Sequence, residues 1–525
     1  MPKRVLDVGK EDNTDVHVFE PGDQSIEKIA PYVALSHCWG LSQHLISTKD
    51  TIDTWKRNIP SESLPKTFLE AIDVTRALGI QYIWIDSLCI IQDDLADWEI
   101  EAAKMGSIYN NALLVIAATA SMDGDGGILF PKPSHNRIVG MDQNQLPFEI
   151  YIRHMISHIP FTWGPGADEN LHSRYNQTAV VRKYPGYPLF TRAWCFQERL
   201  LGTKVLHFTE REIVFECLTT INCECGSMTN FSERWLLPLR RQVASHGMNS
   251  GNSYIRLPPK LGVPVLARNL YQSLKSLPEG PSVEDTLLNW RGLVSEYSEK
   301  SITRYSDWLP ALAGLASKWF CSDTGRYLAG IWTDDLPRSL LWQALGSDQN
   351  KDTNKGYIAP SWSWASVGCP ISWMAEASST STYHVEFDTE KSDINLRTQD
   401  TFGAVTGGWI YLSGLVAEVS LQRLRKLEQG QIGLLQAHEE IQRFHVDNYQ
   451  QCSSLVGSKV LWLKYCNDGG HERALVLAQA SNDQLIGLPQ EVQNFPLVCQ
   501  RVGIVEYADK RITLPERRKV SMYLI

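Results

Sequence analysis

No apolar run in this 525-residue chain approaches the roughly 20 residues that a membrane-crossing helix needs, the best being ALLVIAATA (Ala112–Ala120). The start, MPKRVLDVGK, lacks the apolar stretch of a secretory signal, so a cytoplasmic protein with no membrane partner is expected. Positive charge is not in excess. Lys and Arg total 50 against 59 Asp and Glu, a net charge of −9, which gives no general attraction to phosphate backbones, and no nucleic-acid partner is expected. The basic clusters, RLRK (Arg423–Lys426) and ERRK (Glu516–Lys519), are short and read as solvated faces. There is no G-x-x-x-x-G-K-[ST], which excludes a P-loop ATPase module, and no internal repeat or heptad pattern. Paired C-x2-C spacing is also missing. The eleven cysteines are odd in number and dispersed, which argues for free thiols rather than a disulfide framework.

What is present is ordinary globular composition, 43% hydrophobic and 21% charged, on a chain long enough for two or more cored domains. Tryptophan is abundant at 17 residues. Large core side chains account for most of them.

Up to about residue 225 strand and helix signals alternate. Tyr32–Ser36 reads as a buried strand. Leu64–Leu78 reads as a helix with Pro65 in its first turn and Gly79 as its stop. Tyr82–Asp86 is a strand, Asp94–Tyr109 a helix with Trp98, Ala102, Met105 and Tyr109 at helical spacing, and Leu113–Ala118 another strand. Strand, helix, strand, helix, strand predicts a parallel sheet with right-handed crossovers, its strands continuously apolar because both faces are covered. Ligands of such sheets bind beyond the carboxyl ends of the strands. The residues found there are Ser36-His37-Cys38-Trp39-Gly40, Asp86-Ser87-Leu88-Cys89 and Thr119-Ala120-Ser121. Two domains are expected, 1–225 and 226–525. In the second, Val283–Tyr297 and Ser306–Phe320 read as helices, with Pro310 in a first turn or kink. Strands follow at Trp409–Leu415, Val460–Tyr465, Arg473–Ala478, Val502–Tyr507 and Val520–Ile525, and Ala377–Tyr383 reads as an exposed loop.

A helix-sized segment, PLFTRAWCFQERLLG (Pro188–Gly202), carries the chemistry-bearing pattern. Residues four apart on a helix differ in direction by only about 40°, so Glu198 shares a face with Trp194 and is shielded from water. Such a carboxylate is either a satisfied structural anion or a catalytic group, and spacing alone favours the former.

Three blocks change that balance: PYVALSHCWG (Pro31–Gly40), LPKTFLEAIDVTRALGIQYIWIDSLCIIQDD within Leu64–Ser121, and TRAWCFQERLL around Glu198. Together they closely resemble the fungal heterokaryon-incompatibility (HET) domain family. LPALAGLA (Leu309–Ala316), YLAGIW (Tyr327–Trp332) and APSWSWASVG (Ala359–Gly368) resemble segments that follow that domain in large fungal HET proteins, and nothing beyond about residue 400 resembles a known family. The HET domain is remotely similar to the TIR (Toll/interleukin-1 receptor) fold, which implies a flavodoxin-like parallel sheet flanked by helices. Some TIR domains cleave NAD, using a glutamate in a Trp-Cys-x-x-Glu motif that Trp194–Glu198 matches residue for residue. The resemblance thus implies an NAD-cleaving enzyme of fungal non-self recognition or cell death, with NAD as substrate and no required cofactor.

The chemistry fits one carboxylate. Losing nicotinamide leaves an oxocarbenium-like ribose that a carboxylate stabilises, and a neutral leaving group needs no general acid. The candidate catalytic residues are therefore Glu198, His37 and Asp86, and the candidate substrate-binding residues Ser36, Cys38, Trp39, Trp194, Arg192 and Cys89. For His37 a structural or substrate-lining role outweighs catalysis, because adjacent strand residues His37 and Cys38 point to opposite faces unless Gly40 allows a turn. Covalent catalysis by Cys38 ranks lower still. Trp39 is a stacking surface or core, and Asp86 a ribose ligand or a turn cap. Arg192 and Arg199 are candidates to pair with Glu198 or with phosphate. No metal is expected: Cys217, Cys223 and Cys225, with His207 upstream, lack structural-zinc spacing, and His154 and His158 lack the H-E-x-x-H glutamate. DGDGG (Asp123–Gly127) reads as a turn. Two further readings stay open, a biosynthetic enzyme using the same pocket on another small molecule, and a non-enzymatic module acting through self-association as a homo-oligomer.

Overall fold

The computed structural model describes residues 1–9, 15–22, 30–40, 45–131, 136–152, 158, 161, 187–218, 220–226, 228, 282–320, 324–345, 356–373, 382–427, 430–437, 440–468, 471–508 and 516–525. The chain divides into two compact units, Met1–Gly280 and Pro281–Ile525.

The first unit is built on one sheet of eight strands: β1 (Val5–Asp7), β2 (His17–Phe19), β3 (Tyr32–Ser36), β4 (Tyr82–Trp84), β5 (Leu114–Ala117), β8 (Lys204–Phe208), β9 (Ile213–Cys217) and β10 (Ile221–Cys223). A separate hairpin is formed by β6 (Asn136–Met141) and β7 (Pro147–Ile152). The sheet order is β10-β9-β8-β5-β3-β4-β1-β2. Its centre is parallel: β3 pairs with β4 and β5, and β5 with β8. Antiparallel strands close both edges. The expected parallel sheet is therefore present, with edge strands of opposite sense that the alternating pattern does not announce.

Helix α1 (Lys66–Ala77) connects β3 to β4, α2 (Leu95–Asn111) connects β4 to β5, and α3 (Ala193–Leu201) leads into β8. The chain moves one way along the sheet from β3 to β4 and the other way thereafter. The four parallel strands thus follow the doubly wound order 2-1-3-4, whose switch point lies between β3 and β5. Right-handed crossovers then put α1 on one face and α2 and α3 together on the other, and α2 and α3 do pack on each other. Local signals set the helix ends. Asp94 caps α2 by accepting from the amides of Ala96 and Asp97, and Gly79 follows α1 at φ +71°. Val33, Ala34, Leu35, Ile83, Trp84, Val115 and Ile116 are completely buried, as strands covered on both faces must be.

The second unit opens with α4 (Val283–Tyr297) and α5 (Pro310–Trp319), Pro310 occupying a first turn. Short antiparallel pairs follow, β11 (Tyr327–Leu328) with β12 (Ile331–Trp332), and β13 (Trp342–Ala344) with β14 (Ile371–Trp373). The two Trp-rich blocks meet here: Trp290 and Trp364 each donate an indole N–H to the Gly330 carbonyl at 3.0 Å, and Ser363 Oγ donates to that of Ala329 at 2.6 Å. Trp84, Trp332, Trp362 and Trp364 are fully buried core residues.

The remaining strands are β15 (Thr382–Tyr383), β16 (Val385–Leu396), β17 (Val405–Leu427), β18 (Gly430–Ala437), β19 (Glu440–Val446), β20 (Lys459–Asp468), β21 (His471–Gln479), β22 (Val498–Ala508) and β23 (Arg518–Leu524). The 23-residue β17 pairs with β16 and β23 through its first half and with β18 and β20 through its second. Following the pairings β17-β18-β19-β22-β21-β20 returns to β17, so these six strands form a ring, to which β15, β16 and β23 are added. Val419, Leu421, Leu435, Phe444, Trp462 and Val476 are among its buried residues. Phe444 fits because Gly433 and Gly503 face it, and a Cβ at either position meets its ring.

Candidate active site

Two hydroxyls and two carboxyl groups converge where β3 ends. Ser36 is the last residue of β3, Asp86 follows β4, Tyr109 lies near the end of α2 and Glu198 on α3. All but Asp86 are essentially buried, Glu198 being 3% exposed. Burial pushes the Glu198 carboxyl up to about 8; Ser36 opposes this and the neighbouring Asp86 charge reinforces it. No cation pairs with Glu198 among the described residues, and its Oε2 has no hydrogen-bond partner there. The Tyr109 hydroxyl donates to the Leu35 carbonyl at 2.9 Å, so toward Glu198 it can only accept. A protonated Glu198 suits that arrangement, since it has one O–H to give.

Asp86 is held from two sides. Trp39 Nε1 donates to its Oδ2 at 2.7 Å, and the Ser87 amide to its Oδ1 at 2.7 Å. His37 Nδ1 lies 3.7 Å from Oδ1, and the His37 ring meets Phe68 edge-on. Asp86 thus opens the turn Asp86–Cys89, and its charge faces Glu198. The chain turns at Gly40, where φ is +75° and a Cβ meets Asp123. Asp123 itself heads the DGDGG turn by accepting from the amides of Asp125 and Gly126.

The thiols are poor nucleophiles. Cys38 is buried and its thiol is pushed up to about 12 by desolvation, with Arg192 opposing and Glu198 adding to the shift. Cys195 is raised well above its usual value for the same first cause, and its Sγ sits 3.8 Å from the His37 carbonyl. Cys89 is completely buried within the hydrophobic core, its Sγ accepting from the Ile85 amide at 3.5 Å. Its thiol is likewise raised to about 12, by desolvation.

Of the tryptophans in the family-like blocks, Trp39 and Trp194 are only half-buried. Both belong to this constellation, Trp39 through Asp86 and Trp194 as the residue one helical turn before Glu198. Arg192 stands at the N-terminal boundary of α3 without a side-chain cap, and its charge acts on both Cys38 and Cys195. Arg199 goes elsewhere: its Nε donates to Glu216 Oε2 at 2.8 Å, and its guanidinium stacks on Phe190, 4.3 Å from the ring centroid. His207 is taken up in the same cluster, 3.0 Å from both Thr119 Oγ1 and Glu216 Oε2. Ser121 is spent on the Gly127 carbonyl. Of the polar groups at the strand ends, Ser36 and Asp86 therefore remain beside Glu198, with His37 next to Asp86, while Thr119 and Ser121 are taken up elsewhere. Tyr109 is the site residue that sequence reasoning misses, because its spacing in α2 reads only as core; a hydroxyl on a buried face is the available signal.

Comparison with known proteins bears on the same segment. A family model described as Heterokaryon incompatibility protein (HET) matches residues 32–198, from the first residue of β3 to Glu198 itself. No curated protein and no solved structure matches the chain. Residues 32–198 are thus a domain of the heterokaryon incompatibility (HET) family.

Proposed function

We propose that the HET domain hydrolyses the nicotinamide–ribose bond of NAD in an incompatibility response, with Glu198 as the carboxylate that faces the ribose. The observation that carries this reading is a buried carboxyl group at the switch point of a doubly wound sheet, with no cation paired to it among the described residues. A structural anion in such a place is normally matched by a buried cation. Here burial instead keeps the group neutral at rest, and the missing positive charge is one that the substrate brings. NAD carries a pyridinium cation, and a cation beside Glu198 favours the ionised carboxylate. The Trp-Cys-x-x-Glu match to NAD-cleaving TIR domains supports the same role.

In the proposed reaction the bond between ribose C1′ and the pyridinium nitrogen breaks, its electron pair leaves on nitrogen, and nicotinamide departs neutral. The ionised Glu198 stabilises the positive charge developing at C1′. Water adds to C1′ and gives up a proton. Ser36 and Tyr109 supply the polar contacts that hold the carboxyl group, and Trp39 and His37 hold Asp86 in place. The half-buried indoles of Trp39 and Trp194 offer apolar surface to a nucleobase or nicotinamide ring.

Incubation of the full chain with NAD, followed by mass spectrometry, should show nicotinamide and ADP-ribose in equal amounts. Glu198→Gln should fold and lose roughly a hundredfold or more of that activity, the usual effect of removing a preorganised electrostatic group. Intact NAD together with a transformed component of a fungal metabolite extract would overturn the reading in favour of a biosynthetic enzyme. No turnover of either would leave self-association as the activity to measure.

A further inference from the structure

Four potential metal donors from three separate pieces of chain meet at the edge of the first sheet. Glu212 lies in the tight turn between β8 and β9, Cys223 ends β10, Cys225 lies two residues on, and His158 comes from a segment more than fifty residues upstream. One donor atom from each lies within 4.8 Å of all the others. The Sγ atoms of Cys223 and Cys225 are 3.2 Å apart, and Cys225 Sγ is 3.5 Å from His158 Nε2. His158 Nε2 is 2.5 Å from Glu212 Oε1, and the Cys225 amide donates to Glu212 Oε2 at 2.9 Å.

We propose that His158, Glu212, Cys223 and Cys225 bind one zinc ion. Tetrahedral zinc, with bonds of about 2.3 Å to sulfur and about 2.0 Å to nitrogen and oxygen, places its donor atoms roughly 3.3–3.8 Å from one another. The Cys225–His158 separation already lies in that range. The two sulfurs need to part by about half an ångström and the His158–Glu212 pair by somewhat more, movements within the rotamer freedom of side chains of which only Glu212 is buried. Two thiolates and an imidazole are soft to borderline ligands, which select zinc over magnesium or calcium. With all four positions taken by protein the site is of the structural, closed kind. The carboxylate keeps a second oxygen on the Cys225 amide, an outer contact of the sort that orients a metal ligand.

The site escapes spacing rules because its members come from different turns. The C-x5-C-x-C run does contribute two ligands, but the Cys217 and His207 that spacing would add are replaced by Glu212 and His158. Its structural purpose follows from what His158 leads into. Phe161 packs edge-on against Phe190 and His207, and Phe190 belongs to the turn Pro188–Thr191 immediately before α3. A metal holding His158 to the β8–β9–β10 edge therefore braces the approach to the helix that carries Glu198.

The test uses the full-length chain, purified without a histidine tag or chelator. Elemental analysis should find one zinc per chain. After chelation, cobalt(II) should bind with a stoichiometry of one and give the intense visible bands of a tetrahedral site together with thiolate-to-cobalt charge transfer. Cys225→Ala and Cys223→Ser should each abolish those bands, whereas Cys217→Ala should retain them. Should the ligand variants fail to fold, the unaltered protein still decides the matter: alkylation mapped by mass spectrometry should spare Cys223 and Cys225 with zinc present and label both after chelation, with Cys217 unchanged. Absence of bound metal, a weak octahedral cobalt spectrum, a Cys223–Cys225 disulfide in the intact mass, or alkylation indifferent to zinc would each overturn the site. None of these outcomes depends on NAD cleavage.

Discussion

Replacing Glu198 by glutamine should make the first unit more resistant to alkaline pH. The carboxyl group is raised from its ordinary 4.5 to about 8 by burial, so between those values the folded state holds a proton that the unfolded state releases. Stability from this group is fully present below pH 4.5 and is lost as the pH rises through 8. At about 1.4 kcal/mol for each pH unit between those values, the whole window is worth roughly 5 kcal/mol, and the stretch from pH 5 to pH 9 roughly 4 kcal/mol. Glutamine has the same size, never ionises, and can donate an N–H to Tyr109 where the protonated acid gave an O–H. Melting of the wild type and Glu198→Gln should therefore nearly coincide at pH 5. At pH 9 the two should separate by about 10 °C, the variant melting later, at the 2–4 °C per kcal/mol typical of a unit this size. Groups common to both proteins cancel in the difference. Parallel pH profiles would refute the reasoning, since they would mean that Glu198 is ionised in the folded protein and has found a partner or water. A variant that melts earlier at every pH would identify the carboxyl group as a structural anion.

Other consequences can be measured separately. If NAD brings the counter-charge, its binding near pH 7 should release close to one proton, seen as a buffer-dependent enthalpy in titration calorimetry and absent in Glu198→Gln. Asp86→Asn removes the neighbouring charge that raises Glu198, so the alkaline loss of stability should level off at a lower pH and be smaller in total when melting is followed across pH. Arg501→Met should cost about 3–5 kcal/mol in denaturant unfolding of the second unit, because it strands Asp447, whose carboxylate accepts from Arg501 Nε at 2.7 Å; adding Asp447→Leu should recover much of the loss. Gly433→Ala should destabilise the same unit by about 1–3 kcal/mol through overpacking on Phe444, with Phe444→Leu restoring stability.

The sequence by itself determined the periodic elements and their ends. The apolar runs at Tyr32–Ser36 and around Val115, the helical spacing in α2, the stop at Gly79 and the placement of Pro310 all follow from local chemistry: side-chain period, cap and φ preference act within a few residues. Strand, helix, strand alternation also implied a parallel sheet, and the Trp-Cys-x-x-Glu spacing placed Glu198 on a shielded helix face. Strand order was not legible, because pairing is decided between residues far apart in the chain. The antiparallel edges, the switch at β3 and β5, and the return of β20 to β17 that closes the second sheet are of this kind. Tertiary structure alone also decided which polar groups meet. Arg199 and His207 lie close to Glu198 in sequence, yet both are claimed by Glu216, while Ser36 and Tyr109 arrive beside it from other elements. The four donors around Cys225 show the same limit. Spacing finds ligands that share a turn, whereas His158 and Glu212 are brought to the cysteines only by packing at a sheet edge, where the distances that define a site first come into being.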